Sequence, residues 1–291
     1  MPFGLTNAPV TFQRYVTYVF QPFFCRSIRV FIDIDEMEDY IGQSGGAGAD
    51  LSGTQVHIML YADDIILLAE SQEDLQLHIQ GLSSFCTQRG VTMNLGKTKV
   101  LIFHTSGIVR RRSAFPFGAS QIEVVKSYVY LGITFTARTG RFSMAKATWD
   151  RTTRAYAALA MLERGCHKTH LQEPRTKGWL FNTLVTPALL YAAPVWTPGL
   201  SKQVWSRLER PQILLLARMI RSKPSVPHDI MRAEFGAPPM VVEALFQTVG
   251  YLHRLRDMRA DRLPRIALEA SRGLADSGDQ RSWYASVTRW L

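Results

Sequence analysis

An α+β fold is predicted for residues 1–140 and an α-helical continuation for residues 141–291, on three observations. Apolar, β-forming runs at 56–60 and 65–69 flank Tyr61-Ala62-Asp63-Asp64, as two strands flank a tight turn. Leu75, Ile79, Leu82, Phe85 and Cys86 recur at helical spacing within residues 73–89, with Gly90 placed to cap the end. Beyond about Phe142 long helical periodicity takes over, interrupted by prolines at 174, 187, 194, 198, 211, 224, 227, 238, 239 and 264; this change sets the domain boundary.

Residues 6–24 read as a helix starting near Thr6 or Asn7, with a Phe/Tyr/Val-rich face. Residues 35–41 form a short acidic amphipathic stretch, and the Gly/Ser/Ala run from 42 to 53 is a loop. The hairpin at 56–69 and the helix at 73–89 follow, then a strand at 99–104. Arg110-Arg111-Arg112 marks an exposed turn, too short for a nuclear signal, ahead of strands near 121–125 and 128–135.

A chain of 291 residues with 46% hydrophobic content buries a substantial core, in one large domain or two modest ones. The net charge of +10 is uneven: residues 1–150 carry 13 basic and 13 acidic side chains, residues 151–291 carry 21 and 11. That asymmetry fits a nucleic-acid-facing C-terminal half or, equally, a merely solvated basic surface. Cys25, Cys86 and Cys166 show no paired or C-x-x-C spacing, so a reducing, intracellular setting is expected, without a disulfide framework or zinc knuckle. Cys166 and His170 stand four apart with no second pair to complete a metal site. No uncharged apolar run reaches ~18 residues, so no membrane span is expected.

Adjacent carboxylates at a bend repel each other, a cost that a bound divalent cation removes, which points to metal-assisted nucleotide polymerisation. The alternative is a hairpin turn that happens to carry Asp-Asp. Gly42-Gln43-Ser44-Gly45-Gly46 spells a hydrolase-like G-x-S-x-G, but a glycine-rich loop follows where a helix is required. Residues 90–98 have five residues between glycines where a phosphate loop has four, and they run from helix into strand.

Several motifs in order resemble the reverse transcriptases of non-LTR, LINE-type retrotransposons. They are Phe31-Ile32-Asp33 with residues 36–41, residues 60–69, Phe85-Cys86-Thr87-Gln88-Arg89-Gly90, Asn94-Leu95-Gly96-Lys97-Thr98-Lys99 and Tyr130-Leu131-Gly132. The N-terminal Met1-Pro2-Phe3-Gly4-Leu5-Thr6-Asn7-Ala8-Pro9, continued by Thr11-Phe12-Gln13, resembles instead the gypsy-type LTR element. The resemblance implies the second part of a palm, built of antiparallel hairpins plus helices, followed by an α-helical thumb-like region. Residues 190–196 and 234–239 would be packing motifs of that region.

By the same resemblance, Asp63 and Asp64 hold Mg²⁺ (or Mn²⁺) for RNA-templated DNA synthesis, with an RNA template and a DNA primer as partners. The third carboxylate of the family's palm belongs upstream of the Met1-to-Gln13 segment. The expectation is therefore an incomplete, weakly active or inactive enzyme or, alternatively, a noncatalytic basic nucleic-acid-binding remnant. Whether Asp33 or Asp35 substitutes stays open: on a strand they would share a face, but the LINE-like match makes the stretch helical. Lys97 and Lys99 lie where a cation neutralises pyrophosphate, or on an ordinary exposed loop. Gly4, Thr6 and Asn7 belong to the segment against the template, with Thr6 equally readable as a helix cap. Tyr61 adjoins the acids, and Tyr130-Leu131-Gly132 resembles the primer-grip turn, though a buried hairpin tyrosine would look the same. Arg254, Arg259 and Arg262, with Arg256 and Arg265, are spaced to share a helix face toward a duplex or to form a salt-bridged solvated face with Asp257 and Asp261.

Overall fold

The structure, a computed structural model, describes residues 34–61, 64–103, 114–137, 145–222, 226–280 and 282–291. The helix expected over 6–24, the residues Gly4, Thr6, Asn7, Asp33 and Asp63, and the Arg110-Arg111-Arg112 turn lie outside them.

Helix α1 (Ile34–Gly42) buries Met37 and Ile41 and exposes Glu36, Glu38 and Asp39, so its acids face water while two apolar side chains four apart face inward. The glycine-rich stretch after it is more ordered than its composition suggests: β1 (Ala49–Leu51) pairs antiparallel with β2 (Thr54–Val56). Ser52 and Gly53 form the turn with φ of 52° and 85°, and Asp50 Oδ1 accepts the Gly53 N–H at 2.9 Å, a local bond that specifies the turn.

Strands β3 (Ile58–Tyr61) and β4 (Asp64–Leu67) form the second hairpin, registered Ile58 with Leu67 and Tyr61 with Asp64. Alternation divides its faces: Ile58, Leu60 and Leu67 pack toward α1 and α2, and Tyr61 and Asp64 share the opposite face with Met59 and Ile66. Helix α2 (Gln72–Arg89) follows the predicted period and buries Ile79, Leu82, Phe85 and Cys86. Ser71 caps its start by accepting the Asp74 N–H at 3.0 Å, and Gly90, at φ 65°, ends it. One flank of α2 packs with Met37, Ile41 and Ile58, and the other with Val100, Phe115 and Ile122 of a three-stranded sheet. In that sheet β7 (Ser120–Val125) lies between β5 (Lys99–Leu101), parallel to it, and β6 (Phe115–Phe117), antiparallel to it.

The expected strand near 128–135 is two strands, β8 (Ser127–Tyr130) and β9 (Ile133–Thr136), folded back at Leu131-Gly132. Both turn residues have positive φ, 45° and 77°, as a two-residue hairpin turn of this hand requires. Ile133 and Phe135 pack into the core of the helical half rather than that of the preceding sheets.

Helix α3 (Ala145–Lys168) leads that half, followed by α4 (Pro174–Leu180), a π-helical turn at Phe181–Val185, α5 (Thr186–Leu189) and α6 (Ala193–Trp196). Then come α7 (Lys202–Met219), α8 (His228–Phe235), α9 (Met240–Asp257), α10 (Leu263–Asp276) and α11 (Trp283–Thr288). Most of the described prolines start helices rather than break them: Pro174, Pro187, Pro194 and Pro264 occupy first-turn positions, and Pro227 and Pro239 are N-caps. Pro211 departs from the expected interruption. It lies inside α7, where burial of Leu208, Pro211, Gln212 and Leu215 on one side outweighs the missing N–H. No described helix is long and apolar enough to cross a membrane.

Candidate functional site

Asp64 falls where two strands turn. Because Tyr61 pairs with Asp64, only Ala62 and Asp63 connect β3 to β4, and Asp64 opens the return strand. Asp64 is exposed, and no basic side chain pairs with it among the described residues. An exposed carboxylate without an internal cation keeps its oxygens available to a hard divalent metal. No cluster of three or more histidine, cysteine or acidic groups able to hold a metal occurs among the described residues.

The charge of Asp64 also acts on the second hairpin. Tyr130, half-buried at the end of β8, has its phenol pushed up by burial first, then by the charge of Asp64 and by Tyr61. Tyr61, Asp64 and Tyr130 thus share one electrostatic neighbourhood, although they come from two separate hairpins. Tyr128 of β8 donates its hydroxyl to Lys97 O at 3.1 Å, tying the same hairpin to the Asn94–Lys97 turn. Asn94 O accepts from Lys97 N at 3.1 Å and Thr98 N at 3.0 Å, which leaves the Lys97 side chain exposed on a defined bend. Lys99 differs: its ammonium donates to Glu123 Oε2 at 2.8 Å across the parallel β5–β7 pair.

The arginines do not share the helix face considered from their spacing. Helix α9 stops at Asp257, the chain crosses an extended Met258, and α10 restarts at Leu263 with Pro264 in its first turn. Arg254 lies over the Tyr251 ring at 5.7 Å. Arg259 is paired with Asp261 at 2.7 Å, Arg265 pairs with Glu269 at 2.7 Å, and Arg262 caps α10 through its backbone. Cys166 is buried near the end of α3, whereas His170 lies past the helix with φ 54°, so the two do not stand one turn apart on a helix.

Two residues that the sequence reading passed over complete this neighbourhood. Arg151 of α3, only 5% exposed, directs its guanidinium to Gly132 O and stacks on the Tyr191 ring at 4.7 Å. The Tyr191 hydroxyl donates to Leu131 O at 3.1 Å. The available signal was a tyrosine inside the otherwise apolar 190–196 motif, which reads as packing until its partner is known.

Residues 1–135 match the family described as reverse transcriptase (RNA-dependent DNA polymerase), a span that contains both hairpin turns and ends within β9. The chain carries a reverse transcriptase domain and is distantly related to non-LTR retrotransposon and transposon-derived proteins. It is 28% identical over 149 residues to a transposon-derived protein of Caenorhabditis elegans, covering 50% of this chain and 51% of that one. It is 28% identical over 197 residues to the 115 kDa protein in the type-1 retrotransposable element R1DM of Drosophila melanogaster, covering 66% of this chain and 19% of the other. A polyprotein of Commelina yellow mottle virus is 27% identical over 100 residues, 34% of this chain and 4% of the polyprotein. The chain thus spans about half the length of the worm protein and about a fifth of the fly protein. No solved structure matches it.

Proposed function

We propose that the Ile58–Tyr61 and Asp64–Leu67 hairpin is the metal-holding element of an RNA-directed DNA polymerase, with Asp63 and Asp64 as carboxylate ligands for Mg²⁺ or Mn²⁺. The observation that supports it best is the hairpin itself: Tyr61 pairs with Asp64, and Asp64 opens the return strand exposed, with no basic side chain paired to it among the described residues. Adjacent hard oxygen donors suit a divalent cation. When bound, such a metal makes a primer 3′ hydroxyl more acidic and offsets charge on the departing pyrophosphate. Asp63 and Asp64 would hold it; the Tyr130-Leu131-Gly132 turn would support the primer strand. Lys97, exposed on its bend, is better placed than the ion-paired Lys99 to attract the pyrophosphate.

Mn²⁺ titration followed by electron paramagnetic resonance tests the reading. Asp63→Asn and Asp64→Asn should each weaken Mn²⁺ binding by about tenfold or more, since each removes one charged ligand. Primer extension on an RNA template should require Mg²⁺ and vanish with Asp63→Asn. Mn²⁺ binding that neither substitution changes would falsify the assignment.

Nucleic-acid binding without catalysis is a second reading, favoured by the outer face of α3. Trp149 is 65% exposed and Met161 66% exposed on that helix, and Arg154, Arg164 and Lys168 are exposed as well. The helix's acids are engaged elsewhere: Asp150 accepts from Thr134, and Glu163 pairs with Arg218. Exposed cations on a helix that also exposes a tryptophan suit a nucleic-acid strand. The full chain carrying Asp63→Asn should still bind duplex, and Arg164→Ala should lower the salt slope by about one. Loss of binding with Asp63→Asn, or an unchanged slope with Arg164→Ala, counts against this second reading.

A further inference from the structure

The β8–β9 turn is held from outside its own hairpin. Leu131, a residue with a Cβ, stands at φ 45°, a left-handed conformation that residues other than glycine, asparagine and aspartate adopt only at a cost. Its carbonyl accepts the Tyr191 hydroxyl at 3.1 Å, and the next carbonyl, Gly132 O, accepts from Arg151. The guanidinium lies on the Tyr191 ring at 4.7 Å, so the two groups that grip the turn also grip each other. A Cβ at Gly132 would stand 3.3 Å from Arg151 Nη2 and 3.5 Å from Tyr191 Cε1, so the turn fits closely against the pair. Two further bonds fasten the hairpin to α3: Lys146 Nζ donates to Ser127 Oγ at 2.8 Å, and Thr134 donates to Asp150.

Burying a guanidinium is expensive unless it is fully engaged. Arg151 is buried without any carboxylate ion pair among the described residues; its partners are a turn carbonyl and an aromatic face. That placement accomplishes one thing visible in the structure. It fixes the Leu131-Gly132 turn, and with it the end of β8 at Tyr130, onto the helical half.

We propose that Arg151 and Tyr191 are positioning residues: a two-residue clamp from the helical half that holds the Tyr130-Leu131-Gly132 turn where it supports a recessed primer 3′ end beside the carboxylate hairpin. The inference rests on the polymerase reading above. Neither residue touches the reacting atoms. They act through the two carbonyls of the turn, and the substrate feature they tune is the end of the primer rather than duplex in general.

The test compares the full-length chain's affinity for a primer–template with a recessed 3′ end against a blunt duplex of equal length, in Mg²⁺, by fluorescence anisotropy. Tyr191→Phe removes only the hydroxyl that grips Leu131. It should lower the recessed-end preference by about fivefold, the weight of one hydrogen bond, and leave blunt-duplex affinity unchanged. Arg151→Lys keeps a cation with a donor and should fall between wild type and Arg151→Gln. Hydrogen exchange at the 131 and 132 amides should quicken in Tyr191→Phe. Retention of the wild-type preference by Tyr191→Phe overturns the clamp, as does an equal loss of affinity for both duplexes, which would mark a general structural role. A wild-type chain with no recessed-end preference removes the polymerase reading and the clamp with it, and is recognised before any variant is made.

Discussion

Glu209 in the helical half and Asp64 on the hairpin are carboxylates in opposite settings. Glu209 is 9% exposed and receives Arg232 Nη2 at 2.5 Å and the N–H groups of Met240 and Val241, each at 3.1 Å. It thereby caps the start of α9, and Gln212 extends the network by donating to Pro238 O at 2.8 Å and accepting from Arg232 Nε at 3.2 Å. Asp64 is exposed, with no cation paired to it among the described residues. A carboxylate surrounded by donors holds a fold together; one left open toward solvent at a turn remains available to a ligand.

Removing each acid should therefore act on different properties. Glu209→Ala leaves the Arg232 charge buried and two helix-start N–H groups without an acceptor, so a loss of about 3–5 kcal/mol is expected in urea unfolding. A loss under about 1 kcal/mol would show that the network is not structural. Gly132→Ala places a Cβ at φ 77° against Arg151 and should cost about 1–2 kcal/mol, with the change confined to the β8–β9 hairpin by hydrogen exchange. Ser71→Ala removes the cap of α2 and should cost about 1 kcal/mol, read from the same urea transition. Asp64→Asn should shift stability by less than about 0.5 kcal/mol while weakening Mn²⁺ binding, the reverse of the Glu209 pattern.

A pH experiment extends the comparison to a third acid. The Ser71 hydroxyl, then the Ala47 N–H, hold the Asp74 carboxyl below the usual carboxylate range. A folded-state value below the unfolded one means that the proton binds the unfolded chain more readily. The stabilisation is present above the unfolded pKa and is lost as pH falls through the folded one. Urea midpoints measured from about pH 5 downward should drop less steeply in Asp74→Asn than in wild type. Parallel curves would remove Asp74 from the account.

Periodicity revealed the elements whose stability is local. Helix α2 appears with its expected buried face and Gly90 cap, and the 56–69 region forms a hairpin, because alternation and turn spacing lie within a few residues of one another. The β1–β2 hairpin was hidden by the glycines and serines around it, which read as loop although Asp50 and Gly53 specify a turn. Spacing suggested a shared face for the arginines near 254–265, but the Met258 break and Pro264 separate them. Proline count overstated the breaks in the helical half, since helix starts tolerate that residue and packing tolerates Pro211.

What the sequence determined by itself was the carboxylate hairpin, the order of motifs around it and the change to helix after the second hairpin, all set by neighbours along the chain. Tertiary structure alone decided which acids are tied up and which stay open, and that Arg151 and Tyr191 reach back to the Leu131-Gly132 turn. Those contacts join residues far apart in sequence. A hydrogen bond between such residues leaves no periodic trace: its existence depends on where packing brings each donor and acceptor, not on what stands next to them in the chain.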